Sequence, residues 1–263
     1  MRSILIFLLL LLTGSGSQAQ HGSWKHVSVG DSLVFSDAIC FADSLHGFLV
    51  GCKLDKSFHG RVITYRTADG GRTWSAQPVA HLARSVSSSI RLQAIDSNTL
   101  FAQLEAGGYT LLGTHDAGQT WQALDSLPNG ANYSFWSATG GLRYTTSIEI
   151  TTNGGVTWRP TPPNGTVDSI QIADGYGTLL TIDSARWMIV IPRDTAIETL
   201  WTSDAGSHWK LIRSHLDGFF PAKTGIGYQG YSWNSTAITF YLSATYPIIW
   251  TTDLGVTWHA CAV

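Results

Sequence analysis

The chain has 263 residues, 44% of them hydrophobic and 13% charged, with 27 Gly, 11 Trp, 3 Cys and a formal charge of −2. An average soluble protein carries about 25% charged residues. This balance excludes a basic nucleic-acid binder, which needs a positive surplus, a disordered chain, which needs low hydrophobicity or high net charge, and a small disulfide scaffold.

Met1 and Arg2 lead into an apolar run from Ile4 to Leu12, then into small residues ending at Ala19. That order reads as a secretory signal cut before Gln20. The run is too short for a bilayer span, which takes about 20 apolar residues. The expectation is a signal peptide over 1–19 and one exported domain over 20–263, secreted or periplasmic, with no membrane span. The segment Trp24 to Val29 then reads as a strand. Phe41 to Gly51 reads as strand, turn, strand, and Ala94 to Ala102 and Ile170 to Leu180 repeat the pattern. Pairing Phe41 with Phe48 sets Cys40 opposite Leu49 and Cys52 opposite Asp37. Alternation then puts the two thiols on opposite faces, so Cys40, Cys52 and Cys261 read more simply as small buried residues than as a bridge. Further strand-like runs are Val62 to Tyr65, Tyr109 to Leu112, Ser147 to Ile150, Ile197 to Trp201 and Pro247 to Trp250. No segment shows sustained helical periodicity.

Each of those five runs leads into an octapeptide of the form Thr-x-Asp-x-Gly-x-Thr-Trp: Thr67 to Trp74, Thr114 to Trp121, Thr151 to Trp158, Thr202 to Trp209 and Thr251 to Trp258. Thr, Gly and Trp stand first, fifth and eighth in all five. Asn153 once replaces the aspartate, and His208 once replaces the second threonine. The Trp-to-Trp steps are 47, 37, 51 and 49 residues. An Asp or Asn side chain can hold backbone N–H groups of the residues that follow, Gly supplies a positive φ, and Thr suits the flanking strands. The structural residues of these turns are therefore Asp69 and Trp74, Asp116 and Trp121, Asn153 and Trp158, Asp204 and Trp209, and Asp253 and Trp258. Four strands in about 40–50 residues is the size of a propeller blade. The sequence is read as all-β: a single β-propeller of four-stranded blades, five favoured over six. Trp24 opens a strand with no octapeptide before it, so how the ring closes stays open.

The octapeptide resembles the Asp-box (BNR) motif of sialidases, sortilin-type receptors and secreted propellers related to the photosystem II assembly/stability factor. The pattern from Phe41 to Gly51 is most similar to that last group. The resemblance implies an exported, non-catalytic module that binds a protein or a glycan. The alternative it implies is a sialidase-like glycoside hydrolase with a degenerate signature. That chemistry calls for an arginine cluster gripping a carboxylate, a Tyr/Glu nucleophilic pair and an acid/base Asp. Arg61-Val62-Ile63 lacks the proline of the family's first arginine motif. Glu149 and Glu198 precede octapeptides, where they are expected on the blade periphery, which leaves Glu105 alone. No carboxylate pair of the kind glycosidases use can be assigned.

No cofactor or metal is expected. The octapeptide aspartates stand singly, whereas calcium takes six to eight oxygens, and no His/Cys spacing suits zinc. The repeat explains six Trp. Candidates for a binding surface are Trp136 and Trp187, together with Phe220, Tyr228, Tyr231 and Trp233 in an aromatic, Gly-rich stretch. Filling of blade interiors is the competing role for the same rings. The oligomeric state is not fixed by the sequence.

Overall fold

In the computed structural model, the described residues are 29, 35–54, 60–78, 87–105, 109–127, 132–145, 147–161, 178–192, 196–215, 230–233, 238–241, 248–253 and 255–261. Short apolar and β-branched runs punctuated by Asp- and Gly-bearing turns favour antiparallel strands, and twenty form among the described residues. The first sheet holds β1 (Phe35–Phe41), β2 (Gly47–Leu54), β3 (Gly60–Thr67) and β4 (Ser75–Pro78). The second holds β5 (Ser87–Ala94), β6 (Leu100–Glu105), β7 (Tyr109–Thr114) and β8 (Gln122–Leu127). The third holds β9 (Asn132–Phe135), β10 (Gly141–Tyr144), β11 (Ile148–Thr151) and β12 (Arg159–Pro160). The fourth holds β13 (Thr178–Thr181), β14 (Trp187–Pro192), β15 (Ala196–Thr202) and β16 (Lys210–His215). The fifth holds β17 (Gly230–Trp233), β18 (Ile238–Tyr241), β19 (Ile248–Thr251) and β20 (His259–Cys261).

Within every sheet the strands follow sequence order. The first strands stand side by side, β1 against β5 and β9 against β13, and β1 also meets β17. The chain is thus an all-β propeller of four-stranded blades, with first strands innermost and fourth strands outermost. Among the described residues no helix occurs. The fifth sheet takes its fourth strand from the C-terminus, β20 pairing with β19; the Trp24 segment lies outside the described residues.

Each octapeptide turns the chain from a third strand into a fourth by one hydrogen-bond scheme. The leading Thr hydroxyl accepts the N–H of the fifth-position Gly at 2.9–3.1 Å. It donates to the carboxylate, or to the Asn153 carbonyl oxygen. That oxygen in turn accepts the N–H of the seventh residue at 2.8–2.9 Å. Positive φ falls on the fourth position as well as the fifth: Gly70 and Gly71, Ala117 and Gly118, Gly154 and Gly155, Ala205 and Gly206.

A second capped turn joins the first two strands. Asp43 accepts the N–H groups of Leu45 and His46, Asp96 those of Asn98 and Thr99, and Asp183 those of Ala185 and Arg186. Ser137 does the same for Thr139 and Gly140. The two turns of a blade are tied together. The fourth-position N–H of the octapeptide donates to the carbonyl two residues after the cap: Gly70 to Leu45, Ala117 to Asn98, Gly154 to Thr139 and Ala205 to Ala185, at 2.8–2.9 Å. This corrects the reading of the fourth blade. Its strand–turn–strand unit is Thr178 to Pro192 around Asp183, because that carboxylate makes the same cap as Asp43 and Asp96. The segment 170–177 is outside the described residues. The register of the first hairpin is also one residue from the expected one: Phe41 pairs with Gly47, Cys40 with Phe48 and, beyond a bulge, Phe35 with Cys52. Cys40 is a free thiol, and burial pushes its pKa up to about 12.

The core lies in the seams between neighbouring sheets. Leu142 and Ile148 of the third sheet pack with Leu179, Trp187, Ile189, Ile191 and Leu200 of the fourth. Ala38 and Val50 of the first pack with Ala102, Leu104 and Leu112 of the second. The octapeptide Trp caps the seam towards the preceding blade, and the residue three before that blade's leading Thr decides the indole's partner. Where it is Thr, the indole N–H crosses the seam: Trp121 donates to Thr64 at 3.2 Å and Trp258 to Thr199 at 3.4 Å. Trp158 faces Leu111 there and donates instead to its own Gly155 carbonyl, at 3.0 Å.

Candidate functional site

The register of the third sheet sets Tyr133, Arg143 and Glu149 in one row across β9, β10 and β11. Asp125, on β8 of the second sheet, reaches the same row. Arg143 donates through Nε to Glu149 at 2.8 Å and through Nη1 to Asp125 at 2.5 Å, and its Nη2 lies 2.6 Å from Glu149. The guanidinium sits 5.0 Å over the Trp158 ring. Tyr133 donates its hydroxyl to Asp125 at 3.2 Å. The three charged side chains are 14–17% exposed. Below them Phe101 and Phe135 stack at 3.6 Å between centroids. The Gln93 side chain brackets the Phe135 backbone, donating to its carbonyl at 2.6 Å and accepting its N–H at 2.9 Å. Arg91 donates to Asn132 across the same gap. A shallow cleft opens here, lined by Arg91, Gln93, Phe101, Gln103, Tyr133 and Phe135 among others.

The arrangement contains the residue types of sialidase chemistry but not their working state. All three guanidinium nitrogens of Arg143 are engaged with two carboxylates, so gripping a substrate carboxylate would break half-buried ion pairs. Burial and then the Asp125 charge push the Tyr133 hydroxyl pKa up, whereas a nucleophile needs activation by a lowered pKa or an adjacent free base. Burial acts to lower the Arg143 pKa, but the bonds to Glu149 and Asp125 outweigh it and raise the value. The cluster therefore rivets the second sheet to the third. Glu149 and Glu198 lie on third strands, in the outer half of their blades, yet neither is free: Glu149 faces this seam, and Glu198 is buried on β15 with Arg213 at 2.8 Å.

The structure brings together two of the six aromatic candidates. Trp136 and Trp187 stack at 6.3 Å with 15° between their planes, in the core shared by the third and fourth sheets. Trp187 is 1% exposed and donates its indole N–H to the Asp183 carbonyl at 3.2 Å. A Cβ on Gly140 would come within 2.3 Å of the Trp136 ring. Trp187 therefore fills space between blades, the competing role for these rings, and the partly buried Trp136 packs against it. Phe220 and Tyr228 lie outside the described residues. Tyr231 and Trp233 belong to β17, and their side chains lie outside the description. The sequence reading missed Asp125, Tyr133 and Arg143; the available signal was Arg143, a charge in the otherwise apolar β10. Among the described residues no three His, Cys, Asp or Glu side chains gather as a metal site, and no helix is long and apolar enough to cross a membrane.

A family model described as Photosynthesis system II assembly factor YCF48 matches residues 17–186. The chain belongs to the YCF48 family. Among solved structures it is similar to YCF48 bound to D1 peptide, with 16% identity over 86% of this chain and 82% of that one and a TM-score of 0.46. It is also similar to YCF48 from Cyanidioschyzon merolae, with 14% identity over 89% and 87% and a TM-score of 0.48. The α-L-arabinofuranosidase Arb93A from Fusarium graminearum, in complex with an iminosugar inhibitor, gives 14% identity over 88% and 81% with a TM-score of 0.50. At that identity the likeness is one of fold alone. No curated protein matches the chain.

Proposed function

We propose that the protein is an exported, non-catalytic propeller that holds a partner protein in an assembly or stabilising role. The observation that carries this reading is the YCF48 family match over residues 17–186; a family relative has been solved with a peptide bound. The saturated Arg143 cluster speaks against glycosidase chemistry at this seam. A glycan is the second partner class. Cross-linking of the tagged protein in the exported fraction, then calorimetry with the purified protein it captures, is expected to give saturable 1:1 binding. A parallel glycan array assigns the partner class. Turnover of a fluorogenic sialoside or arabinofuranoside by the pure protein, abolished in Arg143→Met, would replace this reading with the hydrolase. Export rests on the leader-like order of residues 1–19. N-terminal sequencing of the exported protein is expected to begin at Gln20; an uncut chain starting at Met1 in the cytosol would remove that part of the proposal.

A further inference from the structure

The innermost strand of a blade is a sheet edge, and its channel-side N–H groups have no strand partner. Three successive joints of this propeller solve the problem in one way. A side chain three positions before the capping residue of one sheet meets the N–H two positions before the cap in the next sheet. With Asp43, Asp96, Ser137 and Asp183 as caps, the first position holds Cys40, Gln93 and Ser134, and the second holds Ala94, Phe135 and Thr181. Ser134 Oγ accepts the Thr181 N–H at 2.9 Å. Gln93 Oε1 accepts the Phe135 N–H at 2.9 Å. The Ala94 N–H donates towards the Cys40 sulfur. The acceptor's length follows the gap: serine and cysteine serve where β9 meets β13 and β1 meets β5, and the longer glutamine serves at the cleft between β5 and β9.

In the fourth sheet this position holds Leu180, which is 1% exposed and has no acceptor to offer. Its counterpart in the fifth sheet is Trp233. Trp233 pairs with Ile238 at the register where Thr181 pairs with Trp187, Phe135 with Gly141 and Ala94 with Leu100. The outer part of the same joint is pinned three times over. Trp258 donates to Thr199 at 3.4 Å, Ser214 Oγ donates to the Val256 carbonyl at 3.1 Å, and a Cβ on Gly255 would lie 2.9 Å from Thr199 Cγ2.

We infer that the joint between the fourth and fifth sheets is a hinge, pinned at its outer rim and, among the described residues, without the side-chain latch that the three preceding joints carry at the channel, so that the inner wall parts there before it parts at those three. The wall can open at that point while every outer contact stays in place. Hydrogen–deuterium exchange read at single amides of the full chain tests this. The Trp233 amide is expected to exchange on the order of tenfold faster than those of Ala94, Phe135 and Thr181, the size of effect one lost hydrogen bond gives. Leu180→Asn supplies an acceptor and is expected to slow Trp233 alone, whereas Ser134→Ala is expected to bring Thr181 up to the Trp233 rate. Equal protection of Trp233 and Thr181 in the wild-type chain overturns the inference, as does a folded Leu180→Asn variant with unchanged exchange at Trp233. Should Leu180→Asn not fold, the wild-type comparison decides by itself.

Discussion

Ala117 and Ala205 hold φ values of 59° and 56°, a region that costs an L-residue about 1–2 kcal/mol. The sequence reading gives each octapeptide one left-handed residue, at the fifth-position Gly; the paired turn that also bends the fourth position was not legible, because Ala117 and Ala205 stand there in two of the five. The fourth N–H must rotate towards the neighbouring turn to reach Asn98 or Ala185, and that bond holds the strained backbone. Ala205 is exposed, so Ala205→Gly relieves the strain and loses only unfolded-state entropy of about 0.4–1 kcal/mol. Urea unfolding is expected to show a gain of about 0.5–1 kcal/mol. Ala117 is 5% exposed and packs with Phe48 and Leu100. In Ala117→Gly the lost methyl contact, about 1 kcal/mol, offsets the relief, so no gain is expected. Equal gains at both sites would mean that backbone strain alone governs the position.

At the level of strands and turns, the sequence was most readable where structure is local. All five third strands and the turns that follow them could be placed from the octapeptides, since the capping side chain and the N–H groups it holds lie within a few residues. The first hairpin turn of the third blade escaped notice because Ser137 does the work of an aspartate there. The seam cluster was unreadable for a different reason. Asp125, Tyr133, Arg143 and Glu149 meet only through strand register and the stacking of two sheets, neither of which a residue pattern encodes. Arg143→Met would leave Asp125 and Glu149 facing each other half-buried without a cation. The expected loss is about 3 kcal/mol, the lower end of the range for breaking a buried pair, and Asp125→Ala should cost less because Glu149 still neutralises Arg143. A smaller loss for Arg143→Met than for Asp125→Ala would refute the rivet. The cross-seam indole bond is tested by a double-mutant cycle of Thr64→Val and Trp121→Phe. Their coupling is expected at about 1 kcal/mol, and zero coupling would place the Trp121 N–H elsewhere.

For the whole molecule, low charge and abundant Gly and Trp share one origin: sheets stacked face to face, sealed by Gly-bearing turns and indoles, leave little surface for Lys and Glu. Because the core lies in the seams, each sheet is stable only against its neighbours, and the turns that set strand direction govern all the seams together. All the octapeptide turns but the third are held by ionised carboxylates. Hydrogen bonds from the side chain and N–H of Thr73 hold Asp69 down at about 2, and the N–H and ring of His208 do the same for Asp204. At Asp116 and Asp253 burial acts to raise the pKa, but the bonds from Thr120 and Thr257 outweigh it and lower the value. A carboxyl whose folded pKa is depressed contributes stability that is fully present above its unfolded value, near 4, and is lost as pH falls through that value towards the folded one. Thermal melts are therefore expected to hold level from neutral pH to about 4.5 and then fall steeply between about 4 and 2. The third octapeptide shows how to remove the dependence: Asn153 makes the same bonds without a titrating group, its amide donating to Thr157 Oγ1 at 2.8 Å. Asp69→Asn with Asp253→Asn, both facing a Thr partner, should fold at neutral pH and lose less stability on acidification than the wild type. Parallel acid limbs for the two proteins would show that the acid sensitivity does not reside in these two turns.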